Sequence, residues 1–430
     1  MTRDEILAEI DRQQQLLDQA VTAIEAGTAA KAAAEQQITD GEARRGAAQT
    51  ELARLVELLA NLPPDPPRWD PEAIVHAYAD VWGCRNLVPA AVWEARTGRR
   101  KRHGATYAND APFNSGVWPD PTPEMVAGEA RLLVGVAPEI HPDLRAQHDD
   151  TPAKLAAWEA ACLAEMKAWG DGRRDARIRK AIQGAIAKYG PHIGKVIFRL
   201  PWEFDGRWFS HSICPSDAHA DAFAAMCGRI IATFTEVAGR PLTFAVNMAG
   251  TSQCTITRIR RALAFTVPDG AAVLLTLDDY CATTGDLANL EANLARLAEL
   301  ATTVSWVAGV GFDEVGPHNS TSDSAATLDR VAPVKVQWVA RLAAEVRRYC
   351  NGEVIHADGR TIGCSHATWF ETVRPNGRPY SCVLIGDRAQ RDKSIVLAGR
   401  QTASYLAANG EQVPSNDPEM AAALLVALAG

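Results

Sequence analysis

The chain has 430 residues, with 44 basic and 52 acidic side chains, a formal net charge of −8 and 47% hydrophobic residues. That length suits two or three domains of about 100–200 residues, or one large α/β barrel with additions, and 11 Trp with ordinary apolar content exclude wholesale disorder. The acidic balance excludes a nucleic-acid partner of the kind that needs a basic stripe, and the lack of any apolar run of about 18 residues predicts no membrane insertion.

The opening MTRDEILAEIDRQQQ has no apolar segment of signal-peptide type, so no signal peptide is expected. Residues 1–62 carry a seven-residue repeat. Six of the eight positions Ile10, Leu17, Ile24, Lys31, Ile38, Arg45, Leu52 and Leu59 are Ile or Leu. A heptad kept this long predicts a coiled coil, with a role as a stalk that self-associates, a trimer favoured, or as a docking segment. The other reading is a two-helix hairpin broken near Gly27 or Gly41, since Gly disfavours helix. Pro63, Pro64, Pro66 and Pro67 end any helix and make 63–68 a stiff linker.

From 69 to 430 apolar runs alternate with amphipathic segments. Strands are expected at 132–136, 195–200, 242–246, 272–277, 304–312 and 353–356, because continuous apolar runs suit strands covered on both faces. Helices are expected at 152–169, 173–188, 217–237, 287–301 and 333–349. Phe223, Met226, Ile230 and Phe234 show the i, i+3, i+4 spacing of one buried helix face. The alternation predicts a parallel α/β fold, and the size favours a (β/α)8 TIM barrel with a C-terminal extension. A doubly wound sheet is the other option, but no G-x-G-x-x-G opens a strand–helix unit, so no dinucleotide cofactor is expected. Nine Cys, an odd number without a C-x-x-C pair, predict neither a disulfide framework nor a zinc site.

Two strand ends carry the chemistry. The first runs from Lys195 through Arg199 and Trp202 to Glu203, Asp205, Gly206, Trp208 and Phe209. Carboxyls among aromatic rings suit sugars: ring faces pack on C–H bonds, carboxylates bond hydroxyls, and an apolar wall raises a carboxyl pKa toward that of a general acid. The plainer reading pairs Glu203 with Arg199 or Arg207. The second is the run from Val304 to Phe312 that ends in Asp313, Glu314, Gly316, Pro317 and His318. Here the plainer reading has Asp313 and Glu314 capping a helix or pairing with Arg330. Glycosidic cleavage needs two carboxyl groups, and catalytic groups of a barrel project from the C-terminal ends of its strands.

The segment from Arg199 to Phe209 resembles the acid/base region of family 26 glycoside hydrolases, which carry an Arg on strand 4 followed by His-Glu-Met-Asn-Gly-x-Trp. Arg199, Glu203, Gly206 and Trp208 keep that spacing, while Trp202 replaces the His and Asp205 the Asn. Downstream, Asn247 resembles the end of the family's strand 5. Asp278, Asp279 and Tyr280 resemble its strand 6 Asp-x-Tyr, and Glu314 to Gly316 its strand 7 Glu-x-Gly. The resemblance covers about 190–320. It implies a TIM barrel and retaining hydrolysis of a β-linked polysaccharide, with Glu203 as acid/base and Glu314 as nucleophile. Arg199, Trp202, Asp205, Trp208, Asn247, Asp278, Tyr280 and His318 are the expected substrate-binding residues. The alternative is a catalytically inactive carbohydrate-binding or structural module on the same scaffold.

Other features weigh less. His211, Asp217, His219 and Asp221 are bunched, but Ser216 and Asp217 read better as a helix start, so no metal is expected. Arg96 to His103 is a basic loop, read as solvated. Tyr107, Phe113 and Trp118 either line a cleft or pin a loop. A stalk, a sugar-active barrel and no signal peptide suit a phage tail component that meets host glycan after release. The expected location is therefore the virion, or otherwise the cytoplasm, and tail proteins are candidate partners of residues 1–62.

Overall fold

Eight short strands pair in parallel, each with the next in sequence, and the last closes on the first. They are β1 (Trp82–Arg85), β2 (His103–Asn109), β3 (Arg131–Val136), β4 (Val196–Arg199), β5 (Leu242–Met248), β6 (Ala271–Cys281), β7 (Val307–Pro317) and β8 (Cys364–Trp369). Closure is made where Trp82 pairs with Ala367 and Cys84 with Trp369. This computed structural model describes residues 15–17, 19, 81–85, 94, 100–138, 140, 151–249, 253–281, 287–317 and 325–369.

The helices follow the strands: α1 (Ala111–Ser115) and α2 (Pro123–Val126) after β2, α3 (Pro152–Gly170) and α4 (Asp175–Tyr189) after β3, α5 (Asp217–Ala238) after β4. Then come α6 (Ile256–Ala262) after β5, α7 (Ala288–Thr303) after β6 and α8 (Ala325–Cys350) after β7. The result is the expected (β/α)8 barrel. All five predicted helices are found, and the predicted face of α5 is buried at Phe223, Met226, Ile230 and Phe234.

The period of two along each strand divides the apolar residues into two sets. Leu132, Val134, Phe198, Phe244, Val246, Val273 and Leu275 face outward into the main core with the helices. Ala105, Leu133, Ile197, Ala245, Ala272 and Leu274 form a second cluster, as the inward positions of a barrel should. The inward series turns polar toward the C-terminal strand ends. On β6 it runs Ala272, Leu274, Thr276, Asp278; on β5 it runs Thr243, Ala245, Asn247; on β4 it runs Ile197, Arg199.

Three differences from the sequence reading have physical causes. Residues 353–356 are not a strand: Ile355 makes one isolated antiparallel bridge to Thr361, inside the turn that leads from α8 to β8. The strands β1, β2 and β8 gave no apolar signal, because their residues include Gly83, His103, Thr106, Ser365, His366 and Thr368. Cys214 and Cys254, separated by 40 residues, are joined as a disulfide with Cα atoms 5.3 Å apart. They lie in the loops after β4 and β5, and adjacent barrel strands bring those loops together, a proximity that Cys spacing does not record.

The chain divides into two compact units, Met1–Pro67 and Arg68–Gly430. Residues 15–17 and 19 are helical. The coiled-coil, linker and C-terminal-extension expectations otherwise fall outside the described residues. Among those described, no helix is long and apolar enough to cross a membrane.

Candidate active site

The polar inward residues meet at the C-terminal mouth of the barrel around one guanidinium. Arg199, at the end of β4, is 1% exposed. Its Nη1 donates to Tyr107 Oη at 2.8 Å and to Glu314 Oε1 at 3.1 Å. Its Nη2 donates to Asn247 Oδ1 at 2.8 Å and to Asp278 Oδ2, and Nε lies 2.9 Å from Asp313 Oδ2. One cation thus joins β2, β4, β5, β6 and β7. A buried Arg is sustained only by such partners, since an unpaired buried charge is severely penalised.

Asn247 completes the frame. Its Nδ2 donates to Asp278 Oδ1 and Asp313 Oδ2, both at 3.0 Å. Its Oδ1 also accepts the backbone N–H of Glu203 at 3.1 Å. That last bond matters because Glu203 has φ +52°, a left-handed conformation that costs a non-glycine residue about 1–3 kcal/mol. The strain is held by Asn247 and by the turn in which Gly206 N–H donates to the Glu203 carbonyl at 3.0 Å.

Glu203 is half-buried, and its Oε2 accepts Trp208 Nε1–H at 2.6 Å. The indole folds back over Gly206, where a Cβ would lie 2.5 Å from ring atoms Cε2 and Cη2, so a side chain there would displace it. Burial pushes the Glu203 pKa up, opposed by the Trp208 hydrogen bond and the Arg199 charge. Asp278 is pushed well above the ordinary carboxylate range by burial, with the charges of Glu203 and Asp313 adding to it and Arg199 and Asn247 opposing it. Both carboxyls are thus pushed toward their protonated forms, as a general acid requires.

On β7 two consecutive carboxylates turn toward the same frame. Leu277 pairs with Phe312, but Asp278 pairs with Glu314, leaving Asp313 as the extra residue of a β-bulge. Successive strand residues normally face opposite ways, and a bulge re-aims them. Glu314 is 4% exposed and bonded to Arg199. Asp313 is fully buried. Burial would raise its pKa, but Arg199, His366 and Thr276 outweigh this and hold it below the ordinary value.

Aromatic rings form the rim. Tyr107 and Trp202 meet edge to face at 5.0 Å, Trp202 meets Phe209 at 5.7 Å, and Phe209 stacks on His211 at 5.0 Å. His211 Nε2 bonds the Trp202 carbonyl at 2.8 Å. Burial lowers its pKa to about 4, so the ring is neutral near pH 7 and donates to that carbonyl.

Of the residues singled out in the sequence, Arg199, Trp202, Glu203, Trp208, Asn247, Asp278 and Glu314 come together here. Asp205 is fully buried, and its Oδ1 accepts Ala249 N–H at 2.7 Å. It ties the loop after β4 to the loop after β5, in the place where substrate contact was expected. The backbone of Tyr280 lies in β6; its side chain and His318 are outside the described residues. Two contributors to the frame were not anticipated, Thr276 and His366; Tyr107, read as lining a cleft or pinning a loop, bonds Arg199. The signal for Tyr107 and Thr276 is the period of two, which places them on the faces of Ala105 and Asp278.

The residues considered for a metal are otherwise engaged. His219 bonds Ser216 Oγ and the Glu159 carbonyl, so Ser216 starts α5 without capping it through its side chain. Asp217 pairs with Arg258 and Asp221 with Arg261. Among the described residues no group of three or more His, Cys, Asp or Glu side chains is placed to hold a metal ion. Lys101, Arg102 and His103 lead into the N-terminal end of β2, the end opposite the carboxylates. Phe113 and Trp118 are core residues.

No family model matches the chain, and no curated protein matches it. Among solved structures it is similar to a family 26 protein from a Muricauda species, at 13% identity and a TM-score of 0.43 over 68% of this chain and 80% of that one. It is also similar to a family 5 xyloglucan-specific endo-β-1,4-glucanase from a metagenomic library, at 10% identity and 0.46 over 83% and 99%. A Bacteroidetes-affiliated family 5 cellulase stands at 10% identity and 0.48 over 85% and 95%. These neighbours are glycoside hydrolases. At such identities and scores the activity of this chain has to be argued from its own side chains.

Proposed function

We propose that the chain is a retaining glycoside hydrolase acting on a β-linked polysaccharide, with Glu203 as acid/base and Glu314 as nucleophile. The observation that carries this reading is the contrast between two carboxyls at one barrel mouth: Glu203 sits among aromatic rings with its Oε2 held by Trp208 and its pKa pushed up by burial, and Glu314 is bonded to a guanidinium. Glycoside cleavage asks for that division of labour. Glu203 delivers its proton to the glycosidic oxygen as the C–O bond breaks, and Glu314 attacks the anomeric carbon. The resulting glycosyl–enzyme ester is opened by water, whose proton returns to Glu203. Arg199 fixes Glu314 Oε1, and the rings of Trp202, Trp208 and Phe209 offer faces to sugar C–H bonds. The setting we propose is a phage tail, with residues 1–62 as stalk or docking segment, which brings several barrels to a repetitive surface glycan.

The test is a panel of β-linked polysaccharides with reducing-end detection and NMR of the first anomer released. Glu203→Gln should lose activity by about 10²–10⁴-fold, and on aryl glycosides whose leaving group needs no proton it should still release a first burst of aglycone, with steady turnover limited by the second step that needs Glu203 as base. Glu314→Gln should be inactive on both. A first product of inverted configuration removes Glu314 as nucleophile, and equal release by wild type and Glu203→Gln removes the acid.

A further inference from the structure

We propose that His366 is a positioning residue for this reaction, acting through Asp313 and Arg199 on the Glu314 carboxylate. The proposal rests on the hydrolase reading above. His366 lies on β8, fully buried, and its Nε2 is 2.6 Å from Asp313 Oδ1. Among the described residues its Nδ1 makes no hydrogen bond, and the ring's polar contact is directed at Asp313. The neighbouring ring is that of His103, 5.6 Å away between centroids.

Asp313 is where this contact becomes consequential. Its other oxygen, Oδ2, faces Thr276 Oγ1 at 2.6 Å, Asn247 Nδ2 at 3.0 Å and Arg199 Nε at 2.9 Å. His366, Thr276 and Asn247 thus make three hydrogen bonds to the carboxylate, and Arg199 Nε adds an ion pair. Asp313 is itself the extra residue of the β7 bulge, so the strand ladder does not fix its orientation, and His366 supplies the missing constraint from the next strand. The far edge of the same guanidinium then meets Glu314 at 3.1 Å. Turning Asp313 turns Arg199 about its Nε, and the Glu314 end moves with it.

The space for the ring is built into the fold. At Gly311, two residues before Asp313, an added Cβ would lie 2.6 Å from His366 Nε2. The β7–β8 register also slips here, so that Val310 pairs with Cys364 but Gly311 with His366. That slip delivers His366 to Asp313. A ring wanted only for bulk needs neither a directed nitrogen nor a bulge on each strand.

The test compares His366→Leu, His366→Gln and His366→Asn in the full-length protein on the best substrate of the panel, with Asp313→Asn and the His366→Leu/Asp313→Asn double variant. Misplacement of a catalytic group by about 1 Å costs about 100-fold. His366→Leu should therefore lower kcat by about 100-fold while KM stays within about threefold, the mark of an interaction used in the transition state. Gln carries its amide N–H near the Nε2 position and should restore most of the loss. Asn is too short to reach Asp313 and should not. The double variant should fall no further than Asp313→Asn, because both act through one carboxylate. If His366→Leu does not fold, the Gln and Asn pair decides the matter alone. Equal activity of Gln and Asn variants, a kcat for His366→Leu within about threefold of wild type, or additive losses in the cycle overturns the proposal while leaving the hydrolase reading intact. Absence of wild-type hydrolysis across the panel overturns that reading, and this proposal with it.

Discussion

The single hydrogen bond from Trp208 to Glu203 has a sign that can be worked out. An N–H donor favours the ionised carboxyl, so Trp208 opposes the upward push of burial. Trp208→Phe keeps an aromatic side chain and deletes the donor. The acid then stays protonated to higher pH, and the alkaline limb of the kcat/KM profile should move to higher pH. A profile recorded from pH 4 to 9 checks this, and a limb displaced downward contradicts the assignment of Glu203 as the acid. At this scale the sequence was informative wherever a residue stands beside aromatic and glycine neighbours, as Glu203 and Trp208 do. It was misleading at Asp205, whose place in the same motif suggested substrate contact. Motif spacing does not record that the loop after β5 returns to offer Ala249 N–H to that carboxylate. It was silent at His366, because a polar residue in a polar short strand makes no pattern of its own.

Between elements, the outward neighbour of Asp278 forms a second acidic feature with a different role. Asp279 faces the helix layer, where Oδ2 accepts Asn293 Nδ2–H from α7 at 2.7 Å and Oδ1 accepts Trp338 Nε1–H from α8 at 3.1 Å. Burial raises its pKa to about 6, with both donors opposing. An unfolded Asp titrates near 3.9. The folded state therefore holds the proton more tightly, and stability present below about pH 4 is lost as pH rises through about 6. The interval corresponds to about 3 kcal/mol. Thermal melts from pH 3.5 to 7 should show this contribution, and Asp279→Asn should remove it from the slope; an unchanged slope would place the proton elsewhere. The elements so joined differ in how well the sequence announced them. β6 and β7 have apolar runs for outward and inner-bottom residues, and α7 shows its buried face at Leu290, Leu294, Leu297 and Ala301. β1, β2 and β8 carry Gly, His and Thr where the barrel interior is polar, so apolar-run reading passes over them. The barrel is legible from its helices and its middle strands, while the strands that close it are recognised only from pairing.

Across the whole molecule, charge is arranged along the barrel axis. Near the N-terminal strand ends lie Lys101, Arg102, His103, Arg131 and Lys195. Arg102, His103, Arg131 and Lys195 line one cavity there with Glu129, and Arg131 reaches across to Ser365 Oγ on β8 at 3.3 Å. At the C-terminal mouth, Glu203, Asp278, Asp313 and Glu314 surround Arg199, whose donors are already directed at protein partners. The mouth is thus net negative among the described residues, on a chain of net charge −8. An approaching polymer meets that field before it meets the rings. A neutral glycan feels little of it, so its kcat/KM should be nearly independent of ionic strength. A uronate-bearing glycan of the same linkage is repelled over roughly a Debye length, about 10 Å at 0.1 M salt and about 30 Å at 0.01 M. Its kcat/KM should be low in dilute buffer and rise as salt is added, because screening restores the encounter rate. Initial rates on a matched neutral and acidic pair, from 0.01 to 0.5 M NaCl, separate the cases. Faster cleavage of the acidic polymer at low salt would mean that the mouth presents a cation to substrate, and the reading of a net negative mouth would then fail.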